Sequence, residues 1–181
     1  MEVVHYIKNN MKTIILLVLT ISLSMCMCCC RKIFPDEKLT LQRKNYLGNE
    51  LRIDGYYTYY FSEGKSYGTF FYKNGIVLNI TGKDGDYSEK RFLDEELIDH
   101  VKGTKSLWSI FDINDDNIII QGWGSSEGGG LPVITRYGKI LDDTTFIITE
   151  SEVNGRIREI SEIYSFHEFS PKPDSTNVYI K

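Results

Sequence analysis

The sequence predicts an all-β, mainly antiparallel domain: about eight strands wound up-and-down into a barrel or a strongly curved sheet, with one amphipathic helix between strands 3 and 4. Three observations carry this. First, Leu51, Ile53, Tyr57, Tyr59 and Phe61 alternate with Arg52, Asp54, Tyr56, Thr58 and Tyr60, the period of a strand with two different faces. Second, Asn74-Gly75 and Asn154-Gly155 each separate two β-rich runs. Such a pair favours a type I′ hairpin turn, which needs positive φ at both central residues. Third, the remaining runs are joined by short polar turns, and only one stretch has a helical period.

In chain order, the first strand ends at the turn Ser62-Glu63-Gly64-Lys65, and runs 67–73 and 76–80 follow as a hairpin. Thr81-Gly82-Lys83-Asp84-Gly85 breaks the strand, and a helix is expected over 87–102. Asp86 caps it with Glu89 as the capping-box partner, and Gly103 fits its end. Leu93, Leu97, Ile98 and Val101 form its apolar stripe, opposite Lys90, Asp94, Glu95 and Asp99, so one face is expected against the sheet. Strands resume at 107–113 and 117–123 around an Asn/Asp turn, and a glycine-rich loop, 124–130, leads to 132–141. Asp142-Asp143 turns the chain into 144–153, and the second Asn-Gly hairpin into 156–169. Ser170-Pro171-Lys172-Pro173 cannot extend a central strand and is expected to be extended or loose.

Four divisions follow: a signal at 1–25, a polar tether at 26–49, the β-domain at 50–169 and a tail at 170–181. The first rests on Lys12, an apolar run from Ile14 to Leu23, and a cluster at Cys26, Cys28, Cys29 and Cys30 that holds every cysteine of the chain. Met11 would serve as a start for that signal. Leu23-Ser24-Met25-Cys26 resembles the lipobox of bacterial lipoproteins, although the family prefers Gly, Ala or Ser where Met25 stands. The resemblance implies acylation of Cys26 and a membrane anchor, and a doubly or triply acylated cysteine holds far more firmly than one chain. It places the protein in the cell envelope, at the outer membrane facing the periplasm, with the cell surface as the alternative. Three other readings stay open: an uncleaved helix over the 18 uncharged residues from Thr13 to Cys30, a cleaved secreted protein, and reversible palmitoylation.

Removing residues 1–25, which carry Lys8, Lys12 and Glu2, leaves 19 basic against 24 acidic side chains, a net charge of −5. No basic stripe accompanies it, which argues against nucleic-acid binding. The domain is long enough for a real core, and without cysteines after Cys30 it relies on packing.

The strand number and Gly55-Tyr56-Tyr57 in the first strand resemble lipocalin-like barrels of small bacterial lipoproteins. That family carries Gly-x-Trp at this point, and its helix usually follows the last strand. Asp143–Phe146 and Ser170–Thr176 also resemble segments of uncharacterised envelope lipoproteins, a likeness that brings no activity with it.

No catalytic constellation is readable. His5, His100 and His167 lack a metal-ligand spacing, and no metal or other cofactor is expected. Asp112–Asn117 has alternating oxygen ligands, but Asn117 and Trp123 stand where a calcium loop needs Gly and Glu, so a hairpin turn is expected. Gly122–Gly130 lacks the Lys-Ser/Thr of a phosphate loop and reads as a flexible loop at the barrel rim, with a mobile lip over a ligand opening as its functional reading. Ser125 and Ser126 have no assignable His-Asp partners. What remains is aromatic crowding. Tyr57, Tyr59, Phe71, Trp108 and Trp123 are the candidate ligand-binding residues, set against simple core packing. The functional expectation is non-enzymatic binding of a small apolar or amphiphilic ligand, or a glycan. The alternatives are a structural or accessory subunit docking an envelope protein, and a hydrolase with a convergent nucleophile and base.

Overall fold

Eight antiparallel strands close on themselves in the computed structural model, each paired with its sequence neighbours and β1 with β8. The structure describes residues 35–62, 64–83, 94–125 and 129–181. The signal segment, Cys26, Glu63, the Asp86–Glu89 capping box, Leu93 and Ser126–Gly128 lie outside them. The barrel belongs to one compact unit, Asp36–Glu127 with Leu131–Lys181.

The strands are β1 (Gly55–Ser62), β2 (Lys65–Phe71), β3 (Ile76–Lys83), β4 (Trp108–Asn114), β5 (Asn117–Trp123), β6 (Val133–Asp142), β7 (Thr145–Val153) and β8 (Arg156–Glu168). The helix α1 (Glu95–Gly103) and a 3-10 turn, Lys105–Leu107, connect β3 to β4. An up-and-down barrel of this size pairs every strand on both sides, leaving room inside for side chains or one small ligand.

Turn chemistry follows the sequence in one hairpin and departs from it in another. Asn154 and Gly155 have φ of 53° and 71°, the positive pair of a type I′ turn. At Asn74-Gly75 only Gly75 is positive, with φ of 78°, and its N–H donates to Tyr72 O at 3.0 Å. That is a three-residue loop closed by a left-handed glycine, because Lys73 joins the turn and the ladder resumes at Phe71–Val77.

Of the helix expected over 87–102, residues 87–93 lie outside the described residues, and the described part is Glu95–Gly103. Asp94 is the N-cap, with extended backbone, and its carboxylate accepts from Glu96 N–H at 2.9 Å. A short acidic side chain that takes a nearby N–H stabilises a helix start at that point, so the helical run expected through Asp94 is interrupted there.

Two apolar layers use opposite faces of the same strands. Tyr57, Phe71, Val77, Phe111, Ile118, Phe146, Ile148 and Tyr164 fill the interior. Phe70, Tyr72, Leu78, Trp108, Ile110 and Trp123 face outward and pack with Val101 of α1, Leu39 and Leu41 before the barrel, and Ile180 after it. Strands buried on both faces lose the polar alternation that marks a half-exposed sheet. This explains the unbroken runs Phe70-Phe71-Tyr72, Ile76-Val77-Leu78 and Ile118-Ile119-Ile120.

The segments flanking the barrel are held by specific bonds. Gln121 Oε1 accepts from Thr40 N at 2.7 Å and Leu41 N at 2.8 Å, and Trp123 Nε1 donates to Glu37 O at 2.8 Å. After β8, Tyr72 Oη donates to Pro173 O at 2.8 Å, Tyr179 Oη donates to Gly103 O at 2.7 Å, and Ile180 is buried. The expected looseness after Phe169 is thus replaced by docking, because the apolar outer face of β2–β5 offers a surface to cover.

Candidate functional site

The lumen has two dissimilar ends. At the end bearing the Lys73–Gly75, Asp115–Asp116 and Asp143–Thr144 turns it is packed solid with rings. Phe146 lies parallel on Tyr164 with centroids 4.6 Å apart, while Phe71 meets Phe111 and Phe146 edge-on at 4.9 and 5.7 Å. Tyr57 Oη lies 3.0 Å from Arg52 O and 2.9 Å from Asp143 O, tying the entry of β1 to the β6–β7 turn. Tyr46 Oη accepts from Leu51 N at 2.8 Å and donates to Glu50 at 3.0 Å.

At the opposite end the inward positions turn polar and a cavity of about 130 Å³ remains. Its wall includes Tyr67, Asn79, Ser109, Gly122, Arg136 and Tyr164. The wall loosens here because β3 outruns its partner. Ladder pairs to β4 stop at Leu78–Trp108, and Asn79 is the next residue along. Thr69 Oγ1 donates to Asn79 Oδ1 at 3.2 Å, and Asn79 Nδ2 donates to Ser109 Oγ at 3.1 Å, a polar chain replacing the missing ladder. Gly122 makes room for the Ser109 side chain in the wall, since a Cβ there would stand 2.0 Å from Ser109 Oγ and 3.0 Å from Trp108 O.

Arg136 reaches into this end from β6. Its Nη1 donates to Glu162 Oε2 and Tyr164 Oη, both at 2.9 Å, and Tyr164 Oη donates to Glu162 Oε2 at 3.0 Å. Burial works against the guanidinium charge, but the neighbouring Tyr164, Glu162 and Tyr67 outweigh it and hold its pKa above the ordinary value. Burial raises the Tyr164 phenol far above its usual range, so it stays neutral and can donate.

The structure spreads the five aromatic candidates. Tyr57 and Phe71 belong to the packed end, each 1% exposed. Tyr59 is half-buried inside the barrel, 5.5 Å from the Tyr164 ring. Trp108 is fully buried in the outer layer, donating from Nε1 to Val101 O at 2.9 Å. Trp123 stands at the rim, with Lys105 Nζ 4.2 Å from its ring centroid, and among the five it alone lines the cavity.

Arg136, Asn79 and Ser109 were not singled out from the sequence. The signal is present but faint: each is a polar residue in register with apolar inward neighbours, Ile140, Val77 and Phe111 respectively. It becomes readable once the inward face is known.

Elsewhere the earlier candidates have ordinary partners. His167 Nε2 lies 2.8 Å from Thr58 Oγ1 and its ring stacks on Tyr56, while Asp112 pairs with Lys44 at 3.0 Å beside a turn whose Asp115 has φ of 53°. Part of the glycine-rich loop lies outside the described residues. No family model, curated protein or solved structure matches the chain.

Proposed function

We propose that this is a membrane-tethered binding protein whose lipocalin-like barrel holds a small polar ligand in the lumen. The observation that carries the reading is the 130 Å³ cavity with mixed hydroxyl, amide and guanidinium groups at one end of an otherwise filled barrel. Ligand sites combine apolar walls with a few fixed polar groups, and pre-formed space is their usual starting point. The cavity is far smaller than the several hundred Å³ of drug-sized pockets. Long acyl chains are therefore poor candidates, and a compact polar molecule or a sugar-sized fragment fits better. The lipobox-like Leu23-Ser24-Met25-Cys26 supports an acyl anchor at Cys26, in the cell envelope.

Native mass spectrometry of the full chain released from detergent tests the binding role. A small adduct is expected on the wild type and weakened on Gly122→Ala, whose methyl would drive Ser109 Oγ from its place in the cavity wall, with both proteins folded by circular dichroism. An adduct equally retained by Gly122→Ala would place the ligand elsewhere. A bare mass under gentle conditions favours docking to an envelope protein instead. Metabolic labelling with a fatty-acid probe tests the anchor: Cys26→Ala should lose the label, and unchanged labelling would remove that part of the reading.

A further inference from the structure

We infer that the ligand of the lumen cavity is a small carboxylate seated on Arg136, an inference that rests on reading the cavity as a ligand site. Among the described residues lining it, Arg136 is the one charged side chain. Glu162, its ion-pair partner, is not part of that lining. The remaining wall supplies neutral groups, several of which can donate. Ser109 Oγ already accepts from Asn79, which leaves its own proton free to donate, and Tyr67 carries a phenol.

The guanidinium is held as a pre-organised fork. Glu162 and Tyr164 engage Nη1 alone, and among the described residues Nε and Nη2 make no hydrogen bond. No buried side-chain nitrogen or oxygen among the described residues lacks a partner, so these donors open onto accessible space. A planar pair of N–H groups matches the two oxygens of a carboxylate, and charge-assisted bonds of this kind are roughly twice as strong as neutral ones. Glu162 and Tyr164 fix the Arg136 rotamer before the ligand arrives, which lowers the ordering cost of binding. The cavity of about 130 Å³ has room for a short acid only.

The test is a two-dimensional amide NMR titration of the full chain in detergent with acetate and propionate, each matched to its neutral amide, acetamide or propionamide. The carboxylates are expected to shift the Gly122 and Ser109 resonances saturably, with the amides weaker by about tenfold or more. Arg136→Gln alone strands Glu162 and can unfold the protein, so the decisive variant is Arg136→Gln with Glu162→Gln, which removes the pair together. That variant should bind acid and amide equally weakly. Equal binding of acid and amide by the wild type would overturn the carboxylate inference while the lumen site stands. Saturable shifts from neither class would overturn both, and retained preference for the acid in the double variant would show that Arg136 does not select it.

Discussion

The two ends of the barrel lumen are built from the same eight strands, yet they are spent differently. One end stacks Tyr57, Phe71, Phe111, Phe146 and Tyr164 ring against ring. The other presents Thr69 and Ser109, two residues along β2 and β4 from Phe71 and Phe111, with Asn79 of β3 and Arg136 of β6 around empty space. Ring pairs contribute about 0.5–1.5 kcal/mol each beyond the area they bury. Satisfied polar chains contribute less to stability and more to a defined shape. The difference teaches that stability is concentrated where the residues before β1 close the barrel, which leaves the far end free to carry polar groups suited to recognition.

Substitutions should separate the ends in order of size. Phe146→Ala removes a ring in contact with Tyr57, Phe71 and Tyr164, and should cost about 3–5 kcal/mol in urea unfolding. A loss near 1 kcal/mol would mean that the packed end is not the stabilising one. Tyr57→Phe keeps the ring but strips the hydroxyl from Arg52 O and Asp143 O, an expected loss of about 1–3 kcal/mol with little change in the denaturant slope. Asn79→Ala at the polar end should cost at most about 1 kcal/mol, because water can enter the cavity and satisfy Thr69 and Ser109. If Asn79→Ala matched Phe146→Ala, the contrast would collapse.

The smallest effect concerns the docked tail. Lys172 Nζ donates to Ile53 O and to Phe71 O, the latter at 2.8 Å, beneath the packed end. Burial, with Lys73 adding to it against the opposing pull of Asp54, lowers its pKa from 10.5 to about 8. Between those values the unfolded chain binds the proton more fully than the folded one, so this group's contribution to stability rises with pH. Wild type should therefore gain on Lys172→Met from pH 8 to pH 10, measured as the difference between paired unfolding curves, in which tyrosine ionisation largely cancels. A difference that is flat or falls with pH would show that the ammonium is not desolvated.

Much of the architecture was legible. The eight strands and their up-and-down order could be read from the turns, because Asn154-Gly155 and the Asp-rich links carry local instructions. The exact turn at Asn74-Gly75 could not, since Lys73 was free to join either the strand or the loop. The helix start was hidden for a related reason: apolar period runs through Asp94, but the carboxylate's bond to Glu96 N–H is a competing local choice. The site was least legible. β2 to β5 bury both faces, so aromatic residues such as Phe71 and Trp108 look equivalent in the chain although one faces the lumen and the other faces away.

What the chain states locally is therefore the strand count, the turns and the helix between β3 and β4, because period and turn propensity act over a few residues. Which face points inward is set by the ladder registers and by what covers the outside, contacts between residues more than 100 positions apart, such as Tyr57 with Phe166. The meeting of Asn79, Ser109 and Arg136 depends on the same closure, and on β4 beginning too late to pair with Asn79. No short window of sequence contains those distances.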